Sequence, residues 1–190
     1  LNHVFANNLK SIFKSKDANQ SEYHRFESIR RFLLRKDFNG FTSEDLFIMK
    51  FIKKGWGQDI AALSNMAEAL VNLSIKNPND SQYHDLIEAV VVRALHPKVS
   101  PYKKDIDSIR SFGKFGYYLE HLNIILGCYQ RIAGNRYLEL NERISRHLLA
   151  GSMYYDNCHA DLLPNVNMKW SADQAAIIYS IWLFDMNNST

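Results

Sequence analysis

Three stretches of this chain open on an aromatic residue and run into a helix-length block that is apolar on almost every side. Lys54-Gly-Trp-Gly-Gln-Asp-Ile-Ala-Ala-Leu63 lines up with Met168-Lys-Trp-Ser-Ala-Asp-Gln-Ala-Ala-Ile177, and both read Trp-x-x-Asp-x-Ala-Ala. The middle copy, Phe115-Gly-Tyr-Tyr-Leu-Glu-His121, keeps the aromatic opener and has Tyr118 where the others have aspartate. The openers Trp56, Phe115 and Trp170 are spaced by 59 and 55 residues. A near-regular period of this length marks repeated supersecondary units.

Each unit reads the same way. Apolar helices are expected over about 58–76, 114–133 and 171–187. The first two are followed by tight connections, Asn77-Pro-Asn-Asp80 and Gly134-Asn-Arg136, and then by amphipathic helices over about 80–95 and 136–150. Long segments, 96–112 and 151–169, lead back to the next apolar helix. An amphipathic helix has one wet face, whereas a helix apolar all round must be covered on every side. Alternating the two gives an inner and an outer layer. The expected fold is all-α, an α/α toroid or solenoid of alternating inner and outer helices that forms a partial barrel over residues 55–190. No stretch shows the alternation of a half-buried strand. Ahead of the repeats, residues 1–54 read as a basic helical arm packed on the core, with helices over about 1–16, 21–36 (capped by Ser21) and 42–54.

Charge and cysteine content narrow the class. The net charge of +3 is too small to imply nucleic acid. It is uneven: residues 1–54 hold 11 Lys/Arg against 6 Asp/Glu, and residues 55–190 hold 12 against 14. The basic arm reads either as a solvated face or as a contact for an acidic partner. Two cysteines, Cys128 and Cys158, do not make a disulfide framework. The longest apolar run, 175–184, is too short to span a membrane. The first residues lack a basic n-region and a long apolar core, so the chain is expected to be soluble, and extracytoplasmic if a leader has been removed.

Topology gathers the chemistry-bearing residues. The long segments and the starts of the apolar helices share one rim, and long loops on a rigid scaffold carry function. That rim holds Trp56, Asp59, Tyr117, Tyr118, Glu120, His121, Trp170 and Asp173. Asp59, Glu120, His121 and Asp173 are the acid/base candidates. Asp59 and Asp173 equally suit first-turn acids that satisfy free helix amides, and His121 suits a hydrogen-bonded histidine in a helix contact. Trp56, Tyr102, Tyr117, Tyr118, His159 and Trp170 are candidate substrate walls, or simply the apolar openers that fix each repeat. Asp156, Cys158, His159 and Asp161 match no zinc spacing, so neither metal nor cofactor is expected.

Paired inner and outer helices with aromatic and acidic residues at the inner-helix starts resemble the α/α toroids, among them glycoside hydrolases, polysaccharide lyases, uronyl epimerases and terpenoid cyclases. Gly-Tyr-Tyr-Leu-Glu-His-Leu-Asn-Ile-Ile-Leu-Gly (116–127), followed by Trp-Ser-Ala-Asp (170–173), also resembles linalool dehydratase-isomerase-like toroid proteins. The resemblance covers roughly 55–187. It implies a cavity with acid/base residues and cysteines, with His121 and Cys158 as the matching positions. A closed toroid needs about twelve helices and this chain offers three inner ones, so it reads as half a ring, one half of a homodimer, or an open solenoid. The functional expectation is a toroid-type hydrolase, lyase or isomerase acting on a saccharide or a similar small polyol or terpenoid. The alternative is a non-catalytic helical-repeat module for protein interaction or self-association. Half a ring would expose unusual apolar area on its inner helices.

Overall fold

The computed structural model describes residues 16–35, 58–103, 105–113, 115–154 and 171–189. Among these there are six α-helices, one 3-10 turn and no strand. The chain divides into two compact units, 1–35 and 36–190. The expected helix over 42–54, and all but the last residue of the one over 1–16, lie outside the described residues.

The first unit holds α1, Lys16–Leu33. It starts five residues ahead of the Ser21 cap expected from sequence. Asp17-Ala-Asn-Gln-Ser21 contains neither Gly nor Pro, and each of its residues costs only about 0.7 kcal/mol or less in a helix. Intrahelical contacts reinforce it, with Arg31 Nε donating to the Glu27 carbonyl at 3.2 Å.

The second unit holds α2 (Gln58–Lys76), α3 (Gln82–Leu95), the 3-10 turn (Ile106–Ser108), α4 (Gly116–Ala133), α5 (Leu138–Tyr154) and α6 (Ser171–Asn188). The α2–α3 connection is built by its polar residues. Asn77 closes α2 by donating from its side chain to the Leu73 carbonyl at 3.0 Å. Asp80 then accepts from the Gln82 amide at 3.1 Å and starts α3. Tyr83, Leu86, Ile87, Val90, Val91 and Ala94 form the buried stripe of α3, as the helical period requires. Between α4 and α5, Gly134 takes φ +100, a conformation that a Cβ would strain. Glu88 of α3 holds that turn, accepting from Arg136 at 2.8 Å and from the Tyr137 hydroxyl at 2.7 Å.

Helix α4 is the centre. It packs against α2, α3, α5 and α6, and twelve of its residues are buried. The helices α2, α4 and α6 run parallel and in register. Ser64 of α2 meets His121 of α4, and Asn123 of α4 meets Ser180 of α6, each across 57 positions. The same offset lies midway between the opener spacings of 59 and 55.

Helix α6 departs from the expected inner helix. Ile177, Ser180 and Leu183 are buried, but Ile178, Tyr179, Trp182 and Met186 are exposed. A uniformly apolar helix is covered only where neighbours exist, and α6 has α4 and α5 on one side.

Gly127 sets how closely α4 and α6 approach. A Cβ there would stand 2.8 Å from Leu183 Cδ2 and 2.9 Å from its Cγ, and Leu183 is itself buried. Alanine would gain about 1 kcal/mol of helix propensity, whereas overpacking a tight core costs about 1–3 kcal/mol. Gly127→Ala is therefore expected to lose about 1 kcal/mol in urea unfolding. A gain of about 1 kcal/mol, the propensity term alone, would contradict the close α4–α6 contact.

Candidate functional site

The site starts from three positions on one side of α4. Tyr117 and His121 are one turn apart, so their rings meet edge to face at 4.8 Å between centroids. Glu120 lies beside them on the face turned toward α6. His121 also reaches back to α2, where its Nδ1 lies 2.8 Å from Ser64 Oγ. Ser64 Oγ donates to the Ala61 carbonyl at 2.9 Å. With the one serine proton given to that carbonyl, the hydrogen-bond network assigns Nδ1 of His121 as the donor in the pair and leaves the lone pair on its Nε2. That Nε2 lies 3.8 Å from Glu120 Oε1.

Glu120 is fully buried, and neither carboxyl oxygen has a hydrogen-bond partner among the described residues. Burial, reinforced by the nearby Asp173 carboxylate, pushes its pKa up to about 10. Burial pushes His121 down to about 4. The 3.8 Å approach is within ion-pair distance, but nothing compensates the carboxylate for lost water. The desolvation cost of two buried charges exceeds one attraction of that length. At neutral pH the pair is a neutral carboxylic acid beside a neutral imidazole.

Asp173 enters from the first turn of α6. It is half-buried, and burial raises its pKa. Its charge reaches both Glu120 and Tyr117, whose phenol is also raised, first by burial and then by Glu120 and Asp173. Three successive helices of the repeat thus contribute: Ser64 from α2, Tyr117, Glu120 and His121 from α4, and Asp173 from α6.

The other expected residues fall elsewhere. Asp59 is half-buried in the first turn of α2, as a first-turn acid. Among the described residues no hydrogen bond or ion pair ties it to Glu120, His121 or Asp173. Tyr102 and Tyr118 form a joint between the long segment and the helices. Tyr118 is 2% exposed and its hydroxyl donates to the Ala94 carbonyl at 2.9 Å. The Tyr102 hydroxyl donates to the Phe112 carbonyl at 2.6 Å. Their rings pack together at 6.0 Å, with Phe112 and Phe115 against Tyr102. Burial pushes both phenols up. Ring packing and carbonyl acceptors fasten the long segment before α4, and each hydroxyl proton is given to the backbone. Trp56, His159 and Trp170, with Asp156, Cys158 and Asp161, lie outside the described residues.

Ser64 and Asn123 were not among the expected site residues. Asn123 is fully buried and donates to Ser145 at 2.9 Å and Ser180 at 3.2 Å, while its Oδ1 accepts from Asn141 at 2.6 Å. Their signal in the sequence is a polar residue on a largely apolar helix, at positions related by the 59-residue opener spacing. Among the described residues no group of three His, Cys, Asp or Glu could hold a metal ion, and no helix is long and apolar enough to cross a membrane.

Comparison with family models, with curated proteins and with solved structures finds no match for this chain.

The buried pair makes stability depend on pH in a definite direction. The folded pKa of Glu120 lies above its ordinary 4.5, so its contribution is fully present below about 4.5 and falls as pH rises toward 10. The folded pKa of His121 lies below its ordinary 6.5, so its contribution is present above 6.5 and is lost as pH falls toward 4. The two slopes oppose each other between 4.5 and 6.5. Above 6.5 the Glu120 slope acts alone, at about 1.4 kcal/mol per pH unit. Urea unfolding from pH 6.5 to 8.5 is expected to show a loss of about 3 kcal/mol in the native chain and a much flatter profile in Glu120→Gln. Equal slopes in the two proteins would show that Glu120 is already ionised when folded.

Proposed function

We propose that the second unit is an acid–base catalytic domain acting on a neutral, hydroxyl-bearing small molecule: a saccharide, a polyol or a terpenoid alcohol. The observation that carries this reading is the meeting of Glu120, His121 and Asp173 across α4 and α6, with environments that push their protonation states apart. Separating the pKa values of neighbouring groups is how one site holds both an acid and a base near neutral pH.

Burial assigns the roles. Glu120 has no exposed surface, so it cannot meet a substrate directly. It acts as the protonated positioning partner behind His121. The side chain of His121 is 15% exposed, and Asp173 is half-buried, so these two face incoming ligand. Tyr117 supplies an aromatic wall and a phenol whose proton is held well past neutral pH. An anionic substrate would meet Asp173 as a like charge, which favours a neutral one. Hydrolysis, elimination and isomerisation all fit, because each needs one proton given and one taken. In this reading the parallel helices α2, α4 and α6 are an arc of an α/α toroid. Asp59, in the first turn of α2, belongs to the rim where substrate would enter.

The test is a turnover screen of the purified chain on saccharides, polyols and terpenoid alcohols, followed by Asp173→Asn and His121→Ala. Each variant is expected to lose 100-fold or more, roughly the contribution of a positioned acid or base, with its far-UV spectrum and unfolding midpoint near native. No turnover in any class, or turnover unchanged in both folded variants, would overturn the reading.

A further inference from the structure

The exposed side of α6 occupies a defined place in the repeat. The residues by which α4 receives α6 are Glu120, which feels Asp173, Asn123 against Ser180, Gly127 against Leu183 and Gln130 against Asn188. Moving forward by 55 residues, the spacing of Phe115 and Trp170, gives Ala175, Ile178, Trp182 and Asp185. All four are exposed. Moving back by 59, the spacing of Trp56 and Phe115, gives Ala61, Ser64, Glu68 and Val71. Ser64 indeed faces α4 through His121, and Glu68 lies near Cys128 of α4. One and the same helix face thus receives the following inner helix in α2 and in α4, and lies open in α6.

The chemistry of the open face matches a seat for another helix. Ile178 is 68% exposed, Met186 56% and Trp182 49%. Tyr179 and Trp182 stack at 5.7 Å with 26° between planes, a flat aromatic platform at the middle of the helix. Burial and the nearby Glu68 of α2 push the Tyr179 phenol up, which sets that residue beside α2. Contiguous apolar surface of this kind on a folded chain marks an interaction site.

We propose that the occupant is a second copy of the same chain, with the two α6 helices packed antiparallel about a two-fold axis near Ser180–Ile181. An isologous contact needs a patch complementary to itself. Antiparallel apposition places Ala175 across from Met186, small against large, and Tyr179 across from Trp182, extending the aromatic stack. It also sets the acids apart, because Asp173 faces Asn188 and Asp185 faces Ala176. A parallel pairing would put Asp185 against Asp185 and Trp182 against Trp182. Helix α6 has no lysine or arginine, so it offers no cation to an acidic partner, and an apolar partner helix suits it better. The opposite, head-to-tail arrangement would use the far side of α2, where Met66 is already buried. This association stands independently of the acid–base reading.

Sedimentation equilibrium of the 190-residue chain is expected to give a mass near twice 22.1 kDa. Trp182→Glu and Ile178→Glu are each expected to weaken the dimer at least thirtyfold, the loss typical of a central anchor. The control Ile75→Glu, equally exposed on α2, is expected to leave the mass unchanged. Unfolding midpoints establish that the variants remain folded, and a milder Trp182→Ser replaces any variant that does not. A wild-type monomer throughout the concentration range would overturn the proposal. So would a dimer that survives the α6 substitutions.

Discussion

A helix surrounded on every side has no water with which to satisfy its polar side chains, and α4 carries Glu120, His121 and Asn123 within four consecutive positions. The protein resolves this in two ways. Asn123 is answered in full by Ser145, Ser180 and Asn141. Glu120 and His121 are answered by giving up charge, because burial drives the carboxyl up to about 10 and the imidazole down to about 4. A buried amide that finds its partners fixes register, whereas a buried acid that finds none must keep its proton.

The rest of the second unit follows from these contacts. Polar links at the same offset tie α2 to α4 and α4 to α6, so sliding one helix by a turn would strand a buried donor at a cost of about 1–3 kcal/mol. Gly127 permits the close approach that brings Asn187 Nδ2 to the Gly127 carbonyl at 2.9 Å. At the far end the amides of Gln130 and Asn188 exchange hydrogen bonds. With the three helices held parallel and in register, the starts of α4 and α6 fall side by side. Asp173 is thereby brought to Glu120 and Tyr117. The geometry of the candidate site is a consequence of packing the repeat.

Much of this was legible in the residues. The helices over 58–76, 114–133 and 171–187 follow from apolar blocks with aromatic openers, and Pro78 and Gly134 mark real turns. That Tyr117, Glu120 and His121 lie near the start of one helix, and Asp173 at the start of another, could be read from their spacing. The joint made by Tyr102 and Tyr118 was not legible, because the sequence does not say where a tyrosine hydroxyl finds its acceptor. Ser64 was invisible for the same reason, since its role depends on a ring 57 positions away. The coverage of α6 could not be read either. Its composition resembles that of α4, and whether such a helix is buried depends on how many neighbours the fold supplies.

The central claim is that Glu120 is held uncharged at neutral pH by burial within the helix layer. Carboxyl carbon shifts of the chain labelled with 13C at glutamate Cδ, followed from pH 3 to 11 and assigned with Glu120→Gln, measure this directly. The Glu120 resonance is expected to stay in the protonated position through pH 7 and move only near pH 10. A Glu120 resonance that has already moved to the ionised position by pH 7 would contradict the account.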